Sequence, residues 1–378
     1  MPPPPIVSRT RPPSLEQLRR YAIARSLFTP TTLPQAIRRL GFVQADPMRA
    51  PARAQDLILA WRVKDYRAGE LENRYRRLAV EEDCFVNYGF LPREHLALMH
   101  PRIARKPWDR QTEVRAQELL AHISEAGPQH PAQVQALFDH GQVRGYWGGQ
   151  SNGVTHLLDG MHYRGLLRVH RRDSGTRVYE AVQHAPQDDS PAARLARAEV
   201  LLDMVLKLYA PLPARSFGYL GTLLRYGAPH LQPEIRQLLK KARQRYPHAE
   251  VEGQLWFWPV DEDPRSSRHR PHESLRLLAP FDPVVWDRHR FELFWGWPYR
   301  FEAYTPAARR KMGHYALPLL WGEEVPGWAN LKVVEGRLQC ETGFVGERPR
   351  GAHFEAALDE ALAHLSRFLG LEDGAGEG

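Results

Sequence analysis

The chain reads as an α+β protein: tandem winged-helix (helix-turn-helix) domains, then a C-terminal antiparallel β-barrel-like domain and a terminal helix. Three observations predict this. Between Arg110 and Ala181, three helix-length segments precede two strand-length segments joined by a tight turn. A similar succession recurs from Pro191 to Val260. From Leu275 short apolar strands alternate with Gly or Pro turns until a last amphipathic segment begins near Ala352. The domain reading follows: 1–13 a disordered start, 14–106 a first winged-helix-like domain, 107–190 a second and 191–262 a third. Residues 263–370 hold a linker, the barrel and the closing helix, and 371–378 a disordered tail.

Taken in order, Ser14 suits the cap of a helix running to about Leu27, with Leu15, Leu18, Tyr21 and Ala22 on one face. A helix from Leu33 to Leu40 stops at Gly41, which suits a left-handed C-cap. Phe42 to Asp46 reads as a short strand closed by Pro47, because the residue before a proline is pushed towards extended backbone. Pro51 opens a further helix, a position where proline is tolerated. In it Ala54, Leu57, Ile58 and Trp61 fall at i, i+3, i+4 and i+7 and bury one stripe. Cys84 to Leu91 is apolar and expected to be buried, and Pro101 and Pro107 mark a boundary.

Helices then run from Arg110 to Ala126, from Pro131 to before Gly141, and from a Ser151 cap, after Gly148-Gly149, to Arg164. Strands Leu166 to Arg171 and Arg177 to Ala181 flank the turn Asp173-Ser174-Gly175. The repeat of this pattern takes Pro191 to Tyr209, Ser216 to Tyr226 and Pro233 to Arg245 as helices and Val251 to Val260 as a strand. Asp261 to His272 is a polar linker. The barrel strands are Leu275–Leu278, Phe291–Phe294, Tyr299–Tyr304, His314–Leu317, Trp328–Val334 and Leu338–Glu341. The closing helix, 352–369, turns Ala356, Leu358, Leu362, Leu365 and Phe368 to the core.

A formal net charge of +8, carried mostly by arginine, favours polyanionic partners, although an Arg-, Ala- and Pro-rich coding bias gives the same excess. Two distant cysteines, Cys84 and Cys340, exclude a cysteine-based zinc site and a disulfide framework and fit a reducing cytosol. The 17 histidines show no metal-ligand spacing. No apolar run approaches membrane-span length and no signal-peptide pattern opens the chain, so we expect a cytoplasmic, metal-free and cofactor-free monomer.

Two sets of residues carry candidate chemistry. On an extended chain residues i and i+2 point to one side, which sets the Gln44 amide beside the Asp46 carboxylate. An amide that orients a water beside a carboxylate that takes its proton is a candidate hydrolytic pair. The same pattern also fits the exposed face of an edge strand. Gln133-Val134-Gln135 repeats the spacing, but helical residues two apart diverge by about 200° around the axis, so those amides cannot act together. The second set is basic or hydrogen-bonding: Arg49 and Arg53 beside a helix start suited to a phosphate, then Ser151, Asn152, Thr155, Tyr163, Arg164, Arg168, Arg171 and Arg172 on the third helix and its wing. His156, His162 and His170 lie among them, and Arg288 joins the DNA-contacting set. Solvated surface arginines are the competing reading for Arg49 and Arg53.

Leu40-Gly-Phe-Val-Gln-Ala-Asp-Pro47, Ala52-Arg53-Ala54, Arg177-Val-Tyr179, Leu277-Leu-Ala-Pro-Phe-Asp-Pro283 and the stretches Tyr299 to Tyr304 and Tyr315 to Leu320 resemble the YcaQ/AlkZ-type crosslink-repair DNA glycosylases, from about Ser14 to Leu369. The resemblance implies a bacterial enzyme of tandem winged helices and a C-terminal β-barrel that excises N7-alkylated purines from duplex DNA. Some members unhook interstrand crosslinks. It maps the family's Gln-x-Asp catalytic motif onto Gln44 and Asp46, as in the YcaQ branch. Ala45 stands where larger aliphatic residues are common, and Ala308 and Asn330 where many relatives carry Lys and Asp. The expected activity is a monofunctional DNA glycosylase without lyase chemistry, since no lysine adjoins the motif. The alternative is a non-catalytic winged-helix DNA-binding protein or transcription regulator. Several winged helices, a barrel and an intact Gln44/Asp46 pair favour the enzyme.

Overall fold

A computed structural model describes residues 11–144 and 149–371, so the expectations for the extreme termini and for Gly148 lie outside the described residues. The chain forms two compact units. One comprises the chain up to Leu71, Leu202–Gly221 and everything from Leu238; the other comprises Glu72–Leu201 and Thr222–Gln237.

The first unit begins with helix Leu15–Ser26, whose start is closed reciprocally: Gln17 N donates to Ser14 Oγ and Ser14 N to Gln17 Oε1. Helix Leu33–Leu40 ends at Gly41 with φ 76°, a conformation that an L side chain resists. Only Val43–Gln44 of the expected strand is regular. The next helix is Ala54–Ala60, capped by Arg53 rather than opened by Pro51, which lies in the preceding turn. Its stripe of Ala54, Leu57, Ile58 and Trp61 is buried. The expected strand from Val251 to Val260 is instead a hairpin, His248–Val251 with Gln254–Phe257. It turns through Glu252-Gly253, both at positive φ, and Leu212–Pro213 pairs along its other edge.

The second unit holds the hairpin of Val80–Cys84 with Tyr88–Pro92 and the helices Arg110–Ala126, Pro131–Leu137 and Gly153–Arg164. The cap of the last is Asn152, whose Oδ1 accepts from Val154 N and Thr155 N; Ser151 sits in the short strand Gln150–Asn152, opposite Val143. A second hairpin, Leu167–Asp173 with Thr176–Ala181, turns at Ser174-Gly175. Both turn residues have positive φ, the backbone that a two-residue turn needs to follow strand twist.

The C-terminal part departs most from expectation. Phe291–Phe294 lies inside a helix, Arg288–Trp295, because Asp287 Oδ1 accepts from His289 N and Arg290 N and Gly296 ends it at φ 74°. Tyr299–Tyr304 forms no strand. With two of the expected strands missing and His314–Leu317 replaced by Leu317–Trp321, the strands do not close a barrel. They form an open antiparallel sheet in the order Leu275–Leu277, Leu317–Trp321, Gly327–Val334, Arg337–Phe344. Helix Ala352–Leu369 packs on it through Phe354, Leu358, Ala361, Leu365 and Phe368; Ala356 is exposed and Leu362 only partly covered. No helix among the described residues is long and apolar enough to cross a membrane.

Candidate active site

The Gly41 stop turns the chain so that Phe42 and Val43 enter the core, and Gln44 follows them at 4% exposure. Strict alternation would leave Gln44 uncovered. It is covered because the indole Nε1–H of Trp286, 242 positions later, donates to Gln44 Oε1 at 2.7 Å. Gln44 Nε2 has no acceptor among the described residues. Asp46 remains partly exposed. Its own N–H donates to Gln55 Oε1 at 3.3 Å and its Oδ1 accepts from Met48 N at 2.9 Å, so the turn is braced from the buried Gln55 on helix Ala54–Ala60.

No cation pairs with Asp46 among the described residues. Burial raises its pKa above the ordinary carboxylate value, and the Met48 N–H only partly opposes that. Nearby, burial and then the charge of Asp46 hold the Tyr315 phenol well above its usual range, which puts Tyr315 within electrostatic reach of Asp46. The Tyr315 hydroxyl is buried without a hydrogen-bond partner among the described residues.

Trp286 is itself firmly held. Its backbone N–H donates to Asp282 O at 2.8 Å, and its ring lies against Tyr209 (5.4 Å) and, nearly parallel, Tyr219 (6.4 Å). Asp282 is fully buried and bound in two places by Arg62, at 2.8 and 3.0 Å. Arg62, just past the end of helix Ala54–Ala60, also donates to Ser26 O and Ile58 O. Thus the Asp of the Pro-Phe-Asp-Pro stretch anchors a turn that delivers the indole to Gln44. That stretch stands out in the sequence, but the roles of Trp286, Asp282, Arg62, Gln55 and Tyr315 do not, because most of their partners are distant in the chain.

The basic residues divide sharply. Arg49 is exposed, and Arg53 caps its helix through backbone geometry. Arg288, expected to contact DNA, instead donates to Pro280 O at 2.8 Å and to Val285 O, and lies 4.4 Å over the Tyr299 ring; burial lowers its pKa. In the second unit Asn152 is occupied as a cap, and Thr155 Oγ1 accepts from Gln135 Nε2 at 2.6 Å. Tyr163 packs under Arg102, and Arg164 stacks 3.7 Å over Trp108 while donating to Lys106 O. Arg168 pairs with Glu81 and Glu180, Arg172 with Glu82, and Arg171 with Asp173. His162 is buried and His170 faces Glu180. Most of the arginines that look free in the sequence are therefore occupied. No cluster of three or more His, Cys, Asp or Glu among the described residues is arranged for a metal ion.

A carboxylate left without a cation among the described residues, two positions along the chain from an oriented amide, is suited to accepting a proton from water. Among solved structures, the DNA glycosylase AlkZ of Streptomyces sahachiroi superposes with a TM-score of 0.63 over 96% of this chain and 98% of that one, at 16% identity, a likeness of fold. The family model "DNA glycosylase AlkZ-like" matches residues 37–368. The chain belongs to the AlkZ-like family of DNA glycosylases.

Proposed function

We propose that this protein hydrolyses the N-glycosidic bond of N7-alkylated purines in duplex DNA, with Asp46 and Gln44 as the catalytic residues. Alkylation at N7 makes the base a cation, so it departs neutral once the C1′–N9 electrons pass to it, and no general acid is needed. Water forms the new bond to C1′ and gives its proton to Asp46, whose negative charge also favours the oxocarbenium-like sugar. The single observation that carries this is the state of Asp46: partly exposed, without a cation among the described residues and more basic than an ordinary aspartate. A guanine joined through N7 to the opposite strand offers the same cationic leaving group, so unhooking such a crosslink is the same reaction. Flipping a base costs a few kcal/mol, and a crosslinked base cannot swing fully out. We read the three helices and hairpin of 110–181 as a winged helix that tracks the duplex backbone.

The test is mass spectrometry of bases released from methylated duplex DNA. The expected result is free N7-methylguanine and an abasic site, with no strand scission attributable to the protein. Tight duplex binding without release of any alkylated base would favour the non-catalytic reading.

A further inference from the structure

An indole N–H is a donor and never an acceptor. The Gln44 atom facing Trp286 at 2.7 Å must therefore be Oε1, whichever way the amide would otherwise turn. With Oε1 turned to the indole, the two Nε2 hydrogens are the donors that the Gln44 side chain can offer to a substrate or water.

From this, and resting on the glycosidase reading above, we infer that Trp286 is a positioning residue: it locks Gln44 so that the amide N–H groups, not the carbonyl, hold the nucleophilic water. The water then has a complete arrangement. One lone pair accepts from Gln44 Nε2–H, one O–H donates to Asp46, and the second lone pair is directed to C1′. Had Oε1 faced the water, it would accept the second O–H and leave neither lone pair directed by a donor.

The lock is built like a support and not like a chance contact. The indole is braced by the buried Tyr209 and by Tyr219, which is 57% exposed, and its backbone hangs from Asp282. The Arg62–Asp282 ion pair fixes that turn to the end of helix Ala54–Ala60. The same helix carries Gln55, which holds the Asp46 backbone. Both halves of the catalytic pair are thus referenced to one short helix, so their separation is set by rigid parts.

The test is a double-mutant cycle read in single-turnover excision of N7-methylguanine. Trp286→Phe keeps an aromatic ring but deletes the donor and part of the ring volume. It should slow the chemical step by roughly 10- to 100-fold while DNA affinity stays within about 2-fold. In a Gln44→Ala background the same substitution should cost less than about 3-fold, because a residue acting through Gln44 has nothing left to position. A wild-type rate for Trp286→Phe, or an undiminished loss in the Gln44→Ala background, overturns the inference. A second measurement is independent of how Trp286→Phe folds. In ¹⁵N-indole spectra of the wild type and Gln44→Ala, one tryptophan N–H should lose its protection from exchange, and unchanged exchange at every indole overturns the lock. Absence of excision by the wild type would sink the glycosidase reading itself, before any variant is compared.

Discussion

Strand Val80–Cys84 carries Glu81, Glu82 and Asp83 in succession, all buried, and each is matched by guanidinium groups: Arg93 and Arg168, Arg172 and Arg177, and Arg102 with His100. Asp46 is also drawn partly out of water, yet has no cation among the described residues. The acid–base consequences are opposite. Burial would raise Glu82, but the Arg172 hydrogen bond and charge, with Arg177, hold it down to about 2. For Asp83 burial is likewise overcome by Arg102 and His100, and the carboxyl sits well below its usual range. For Asp46 burial prevails and the value rises. Desolvation alone does not single out a candidate acid; desolvation left uncompensated does.

The largest effect that separates the two regions is on stability. Asp83→Ala strands the buried Arg102 without its counter-ion and should cost about 3–5 kcal/mol in denaturant unfolding. Asp46→Asn removes a charge that the fold disfavours, so its midpoint should stay level or rise. A stability lowered by about 3 kcal/mol or more in Asp46→Asn would erase the distinction.

Next in size, Asp46→Asn should lower single-turnover excision by about 10²- to 10⁴-fold, the range of general-base assistance. Duplex affinity should persist, since no phosphate contact is removed. Unchanged excision would end the catalytic assignment.

The pH dependences should also separate. Glu82 has a depressed folded pKa, so its stabilisation is fully present above its ordinary value of 4.5 and is lost as pH falls towards about 2. Asp46 is raised, so the base is protonated at a higher pH than an ordinary aspartate. Excision should therefore fade on acidification before the fold does. Thermal melts and single-turnover rates across the same pH series test the order, and coincident losses would count against it.

The smallest effect concerns the arginines. Arg49→Ala should reduce the slope of log K against log salt by about 0.9, one phosphate's worth, without lowering stability. Arg172→Ala should act the other way, lowering stability because Glu82 loses its pairing. Equal salt slopes for the wild type and Arg49→Ala would remove Arg49 from the DNA-contacting set.

Local features were legible where a residue and its near neighbours decide the outcome. Ser14 caps its helix, Gly41 ends the next, and Ser174-Gly175 makes the tight turn. Phe291-Glu-Leu-Phe294, with three apolar residues in four, fits a strand and a helix face equally; the cap at Asp287 and the stop at Gly296 decide for helix. The barrel reading failed with that strand, since closure depends on strand number. The arginines were illegible for another reason. Arg172 and Glu82 are 90 positions apart, and nothing near either residue announces the other.

By itself the amino-acid sequence determined the short-range grammar of this protein: caps, turns, apolar stripes, and the adjacency of Gln44 and Asp46 along the chain. Those depend on backbone geometry within a few residues. Only the tertiary structure decided which polar groups are already satisfied. It covered Gln44 with an indole from 242 positions away, matched Arg62 to Asp282 at 220, and left Asp46 without a cation among the described residues. Charge compensation requires atoms within a few ångströms in space, and the fold alone brings such distant residues that close.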